Sequence, residues 1–342
     1  MLRTLFVIAT AALLLAACNR PDGKYYRNTG FVFGTTYNIV YRHTADLQDS
    51  ILLRLKQYDS SLSTYNPNSV ISRINRNETD TVDAMFAHVY RNALKFNKLS
   101  GGVFDITVAP LSRLWKFAGD HPDTISVATY DSIVALVPQV MPYVGIASTH
   151  LSGDTVIVKS DPRTTFDACA LAEGYGIDLA AQVLEEHGVK DYMVELGGEL
   201  HMRGVNPQGI PWRIGVDKPV EHGNILDGRT MQLILSLTDC SVSTSGSYRQ
   251  FYYTADGRRL QHTIDPRTGR PVEHGMLSVT VIGPNTMTTD ALSTSFMVLG
   301  PDRARQLAAT MDSIEVYFIY EDSLRQVREY MSDGFRALVV EH

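Results

Sequence analysis

A short apolar run, Leu277 to Ile282, stops at Gly283-Pro284-Asn285, and a helical stretch opens just beyond it. Proline lacks a ladder donor and glycine takes backbone conformations that other residues resist, so the chain must change course here. The next residues, Thr288-Thr289-Asp290-Ala291-Leu292-Ser293-Thr294, read as a helix through about Leu299. Asp290 and Thr294 are four apart and share one helix face. A carboxylate beside a hydroxyl is a pair of hard oxygen donors, suited to Mg²⁺ with a phosphate completing the shell. The same residue types in a first turn also cap a helix or favour its dipole, so this stretch alone leaves both readings open.

Met1 to Ala17 reads as a targeting segment. Arg3 supplies a positive start, and the apolar run Leu5 to Leu15 is too short for an ordinary membrane span. It ends in Leu15-Ala16-Ala17-Cys18, which resembles the lipobox of bacterial lipoproteins, where the cysteine carries the lipid. The alternative is a plain secretory signal. The expected division is signal peptide 1–17, tether 18–27 and catalytic domain 28–342, on the extracytoplasmic (periplasmic) side of a bacterial membrane and anchored through Cys18. A net charge of −6 gives no basis for nucleic-acid binding. After Cys18 only Cys169 and Cys240 remain, with no CxxC pair, so a thiolate zinc site is not expected; an oxidising compartment would permit a Cys169–Cys240 disulfide, but two buried free thiols are the expectation.

Periodicity places helices over Asp46–Tyr58, Val82–Leu99, Thr129–Val137, Phe166–Gly188 and Pro301–Met311. Strands are expected at Phe31–Tyr41, with a bulge at Gly34, and at Tyr192–Leu196, Trp212–Val216, Thr230–Leu237 and Val316–Tyr320. Phe335–Val340 reads as a further strand. Hairpins are expected around Gly153-Asp154 and Asp256-Gly257. Ser241–Gly246 is a run of small and hydroxyl residues without a pattern of its own.

The common nucleotide signatures are missing: no GxGxxG after a strand, GxxxxGK[ST], HExxH or GxSxG occurs. Other segments stand out instead. They are Phe33–Tyr37, Ser63–Tyr65 with Ser69–Asn75, Gly101–Leu111, Asp167–Tyr175, Glu195–Glu199, Ser243–Gly246, His262–Pro271 and Thr289–Thr294. In these residues and in this order the chain resembles the ApbE family, the FAD:protein FMN transferases. The resemblance implies an α+β fold, an ApbE-like and T-fold-related arrangement of mixed sheets packed with helices around one FAD/Mg²⁺ site. It departs from the family at Phe33, where methionine is usual, and at Cys169, where glycine or serine is common.

The resemblance also implies roles. Asp290 and Thr294, with the Ala170 carbonyl, would bind Mg²⁺. Phe33, Tyr65, Val103, Phe104, Asp105, Asp167, Glu173 and Ile264 would contact FAD, with Tyr65 stacking near the flavin. His262 would lie near the pyrophosphate and could take the proton of an incoming hydroxyl; Asp290 or a metal-bound water could also serve. The implied reaction moves FMN from FAD to a Thr or Ser hydroxyl of an extracytoplasmic acceptor flavoprotein of a respiratory redox complex, releasing AMP. Two alternatives use parts of the same set: an FAD pyrophosphatase yielding FMN and AMP, and a flavin-binding lipoprotein without catalysis.

Overall fold

The computed structural model describes residues 23–116, 124–217, 231–247 and 251–341. Eight strands form its main sheet: β1 (Lys24–Val32), β2 (Thr35–His43), β3 (Tyr192–Leu196), β4 (Glu199–Arg203), β5 (Cys240–Gly246), β6 (Met276–Gly283), β7 (Glu315–Glu321) and β8 (Val327–Met331). They lie side by side in chain order, and every neighbouring pair is antiparallel. The four helices that matter most for the site are α1 (Gln48–Leu62), α2 (Ala84–Leu99), α3 (Cys169–Glu186) and α4 (Thr286–Leu299). The first three fall between β2 and β3, and α4 falls between β6 and β7.

The two faces of the sheet explain the strand sequences. In β7, Val316 and Phe318 pack with the helices, while Tyr317 and Ile319 pack on the far side. This is the period-two alternation of a strand covered on both faces. The far side is closed by a three-stranded sheet of Trp212–Asp217, Met231–Leu237 and Val339–Glu341, which contributes Trp212, Ile214, Leu233 and Leu235. β6 is buried along its whole length, which accounts for its near-continuous apolar character.

Several sequence expectations change. Phe31–Tyr41 is not one bulged strand but the inner half of a hairpin, because β1 pairs with β2 across Phe33-Gly34. Both turn residues take positive φ, 54° and 80°, the requirement of a two-residue type I′ turn. β1 also begins at Lys24, so residues 24–27 belong to the folded sheet rather than to a tether. Asp333–Leu338 is a helix and only Val339–Glu341 is strand; Phe335 points a single ring into the core, which alternation counting cannot distinguish from a strand residue. Ser241–Gly246 proves to be β5, in the middle of the main sheet. α3 starts at Cys169, leaving Asp167 in the extended segment before it.

The hairpins expected around Gly153-Asp154 and Asp256-Gly257 are present, pairing Thr149–Ser152 with Val156–Lys159 and Phe251–Thr254 with Arg259–Gln261. Cys169 and Cys240 are both free thiols. Among the described residues no helix is long and apolar enough to cross a membrane. The targeting segment, Cys18, Thr230 and Gln250 lie outside the described residues.

Candidate active site

The site is built where α4 packs against α3 and β5. The amides opening α4 are satisfied from outside the helix: Asp178 of α3 accepts from Thr286 N (2.8 Å) and Met287 N (2.9 Å), and the N-cap Asn285 accepts from Thr288 N (2.9 Å). Asp290 is therefore not the helix cap. It sits a turn further on, 5% exposed, and its Oδ2 accepts the Gly174 amide at 3.1 Å.

That bond bears on Ala170. Gly174 is four residues after Ala170, so in a regular helix its amide closes onto the Ala170 carbonyl. Asp290 competes with the Ala170 carbonyl for that hydrogen. Ala170 and Thr294 both line one cavity of about 300 Å³. A buried carboxylate oxygen, a hydroxyl and a backbone carbonyl are the donor chemistry Mg²⁺ accepts. No three His, Cys, Asp or Glu side chains form a metal-holding group among the described residues, so any ion here must draw on neutral oxygens as well.

The same cavity is walled by Val103, Phe104, Asp105, Asp167, Cys169, His262, Ile264 and Met297. A shallow recess adjoins it at Cys169 and is lined by Phe33, Tyr58, Tyr65 and Glu173. The Phe33 and Tyr58 rings pack at 4.5 Å, while Tyr65 is 82% exposed and presents an open ring face. The fold thus gathers the sequence-predicted residues along one cleft, with Asp290 behind its wall rather than on the surface. Asp105 lines the cleft, but its carboxylate is committed to the fold. Oδ1 accepts from Thr107 N (2.8 Å) and Thr107 Oγ1 (2.6 Å), and Oδ2 accepts from Ile146 N (2.8 Å). Asp167 Oδ1 accepts the Cys169 amide at 3.1 Å and so shapes the start of α3.

The electrostatics are those of crowded acids. Burial, then the Glu173 charge, holds the Asp290 carboxyl well above the usual range, against the opposing pull of the Gly174 amide. Much of Glu173's surface is open to the cleft, yet the cleft walls desolvate its carboxyl and push it upward, with the Asp167 charge adding. Burial also pushes the Cys169 thiol up, reinforced by Asp167 and Glu173, so it is no reactive thiolate. A divalent cation is the natural counter-charge to such a group.

The Glu195–Glu199 and Ser243–Gly246 segments stand out in the sequence, but sequence reasoning gives no role to Glu199 or to the hydroxyl ladder behind the site. Ser241, Ser243 and Ser245 of β5 meet Thr286, Thr289 and Ser293 of α4 at 3.0, 2.8 and 2.7 Å. A strand period of two here faces a helix spacing of three and four. Glu199 lies beside the middle rung and is held well above the carboxylate range by burial and by Asp290. The signal was available in Ser243-Thr244-Ser245 and Thr286–Ser293, but only once the two segments are known to face each other.

The ApbE family model matches residues 33–318. This chain belongs to the ApbE family. It is 34% identical to a Vibrio cholerae FAD:protein FMN transferase over 98% of each chain, and 32% identical to that of Escherichia coli K12 over 98% of this chain and 97% of the other. Among solved structures it is similar to the flavin transferase ApbE of Vibrio cholerae, with a TM-score of 0.78 and 33% identity over 92% of this chain and 99% of that one. It is also similar to the apo flavinyl transferase ApbE of Pseudomonas stutzeri, with a TM-score of 0.77 and 30% identity over 92% and 97%. The α+β arrangement described above is the ApbE fold.

Proposed function

We propose that this ApbE-family chain is an Mg²⁺-dependent FAD:protein FMN transferase acting on a Thr or Ser hydroxyl of an extracytoplasmic acceptor flavoprotein. The observation that supports the reading is a cavity lined by Thr294 and Ala170, with Asp290 buried behind its wall and bonded to the Gly174 amide of α3, beside a recess that offers the open Tyr65 ring. Asp290, Thr294 and the Ala170 carbonyl would hold the ion, which when bound offsets charge on the pyrophosphate of FAD. Val103, Phe104 and Ile264 supply apolar wall to the cavity, and Tyr65 with Phe33 supplies aromatic surface for the flavin. His262, which lines the cavity, would accept the proton of the incoming hydroxyl. That oxygen forms a bond to the phosphorus on the riboflavin side, the bond from that phosphorus to the AMP oxygen breaks, and AMP leaves.

Incubation with FAD, MgCl₂ and a purified acceptor, read by in-gel flavin fluorescence and AMP release, tests the reading. Covalent fluorescence on the acceptor with stoichiometric AMP supports it. AMP and FMN released equally with and without acceptor would make the protein an FAD pyrophosphatase, and bound flavin without AMP would make it a binding protein.

The aromatic surface gives a separate expectation. Tyr65→Ala raises KM for FAD about tenfold, from the loss of roughly 1–2 kcal/mol of stacking. It leaves kcat within about twofold, because a stacked ring contacts ground and transition states alike. A fall in kcat at unchanged KM would give Tyr65 a different task.

The Leu15–Cys18 lipobox supports attachment through a lipid on Cys18, with acceptors in respiratory redox complexes on the same side of the membrane. Cys18→Ser is expected to move the protein from the membrane to the soluble fraction on ultracentrifugation. Unchanged partitioning would place the anchor elsewhere.

A further inference from the structure

The middle rung of the hydroxyl ladder carries an acid that helix docking does not need. Glu199 opens β4 one position beyond the Leu200–Val242 pair, which sets it across from Ser243. Its carboxyl lies beside the Ser243 hydroxyl, and Ser243 Oγ lies 2.8 Å from Thr289 Oγ1. Thr289 in turn donates to Thr286 O at 3.1 Å, and the next residue is Asp290. Glu199 Oε2 is sealed from solvent with no hydrogen-bond partner among the described residues. A buried acceptor without a partner is a net cost to the fold. The Ser245–Ser293 rung joins the same strand and helix at 2.7 Å by hydroxyls alone, and the position across from Ser245 falls at Gly197. On the Ser241–Thr286 rung the neighbouring acid, Asp178, is satisfied by the Thr286 and Met287 amides; the rung beside Asp290 is the one whose acid has an oxygen without a partner.

We propose that Glu199 is a positioning residue for Asp290: through the Ser243–Thr289 pair it fixes the helical turn that presents the cation-binding carboxylate. The proposal rests on the reading of Asp290 as a ligand of Mg²⁺. Glu199 of β4 lies beside Ser243 of β5, and Ser243 meets Thr289 of α4, so the three tie the turn to the sheet. Groups that orient a ligand from behind typically govern metal affinity by 10–100-fold.

The test measures Mn²⁺ binding by electron paramagnetic resonance titration on the full chain, with circular dichroism and thermal unfolding as checks of folding. Glu199→Ala is expected to weaken Mn²⁺ about 10–100-fold, whereas Glu199→Gln, which keeps a polar group of the same shape beside Ser243, stays within about threefold of wild type. Ser243→Ala cuts the link while leaving the acid, and is expected to weaken Mn²⁺ as Glu199→Ala does; it decides the matter if Glu199→Ala does not fold. Wild-type affinity in Glu199→Ala or Ser243→Ala overturns the proposal. So does Glu199→Gln binding as weakly as Glu199→Ala, since charge rather than placement would then be at work. Asp290→Ala serves as the reference. If it binds Mn²⁺ like wild type, the ligand reading itself fails and takes the proposal with it. If it loses the ion while Glu199→Ala keeps it, only the role of Glu199 falls.

Discussion

Asp290→Ala is expected to abolish FMN transfer while leaving a folded protein. Of the three oxygens proposed for the ion, only Asp290 carries a full charge; Ala170 and Thr294 offer neutral donors. Mg²⁺ gives up its waters reluctantly and usually requires one or two carboxylates beside phosphate oxygens. Losing the carboxylate removes several kcal/mol of transition-state stabilisation, at least about a thousandfold in rate. Thr294→Ala removes a neutral donor, so its loss is milder and partly rescued by excess Mg²⁺. Stability moves the other way from a lost helix cap, which costs about 1 kcal/mol. Asp178 and Asn285 already satisfy the opening amides of α4. A carboxyl held high by burial and by Glu173 is a burden without its counter-ion. Thermal unfolding in EDTA is therefore expected to be unchanged or slightly raised in Asp290→Ala, and the Mg²⁺-dependent rise of wild type to be absent. Near-normal AMP release from the folded variant would sink the metal assignment.

Local signals are legible in the sequence and distant ones are not. The β6–α4 corner is legible because Gly283-Pro284-Asn285 enforces it and because Asp290 and Thr294 share a face by spacing alone. The N-caps Ser69 and Asp83 likewise act within three residues of themselves, accepting from Ser72 N (3.1 Å) and Phe86 N (2.8 Å). β5 is not legible as a strand. Its inward residues are serines because they face hydroxyls of α4, so the segment lacks the apolar alternation by which buried strands are recognised. Glu199 is hidden for the same reason: it means something only beside Ser243 and Asp290, which lie far away in the chain. The positions of Phe33 and Tyr65 in the cleft come from resemblance to ApbE proteins, since an aromatic in a polar stretch carries no address of its own. The Phe33-Gly34 turn shows the opposite failure. Gly34 stands out in the sequence, but a strand bulge and a hairpin turn both call for glycine, and the partner strand that decides between them begins in a segment that reads as tether.

Gly174→Ala is expected to cripple the enzyme without touching a proposed ligand. A Cβ at Gly174 would stand 2.4 Å from the Thr286 carbonyl oxygen, 2.6 Å from its carbon and 2.9 Å from Met287 N. All three atoms are backbone, at the start of α4, where Asp178 pins the chain, so no side chain can swing aside. The methyl must instead push α3 and α4 apart. Overpacking of this kind costs about 3 kcal/mol or more. In a chain of this size that corresponds to a fall in Tm of roughly 4–5 °C. The same movement pulls the Gly174 amide from Asp290 and shifts Asp290 relative to Ala170 and Thr294. Misplacement by about 1 Å costs on the order of a hundredfold in rate, so kcat at saturating Mg²⁺ is expected to fall at least that far. Gly176→Ala is the control in the same helix. Its Cβ would meet only Phe33 and Tyr58 ring atoms at 3.7 Å and beyond, ordinary contact, and alanine favours a helix over glycine by about 1 kcal/mol. Gly176→Ala should keep or raise Tm and retain transfer. Thermal unfolding and AMP release on the pair decide the matter: a Gly174→Ala protein as stable and active as Gly176→Ala would show that the α3–α4 contact is looser than its geometry implies and does not set the position of Asp290.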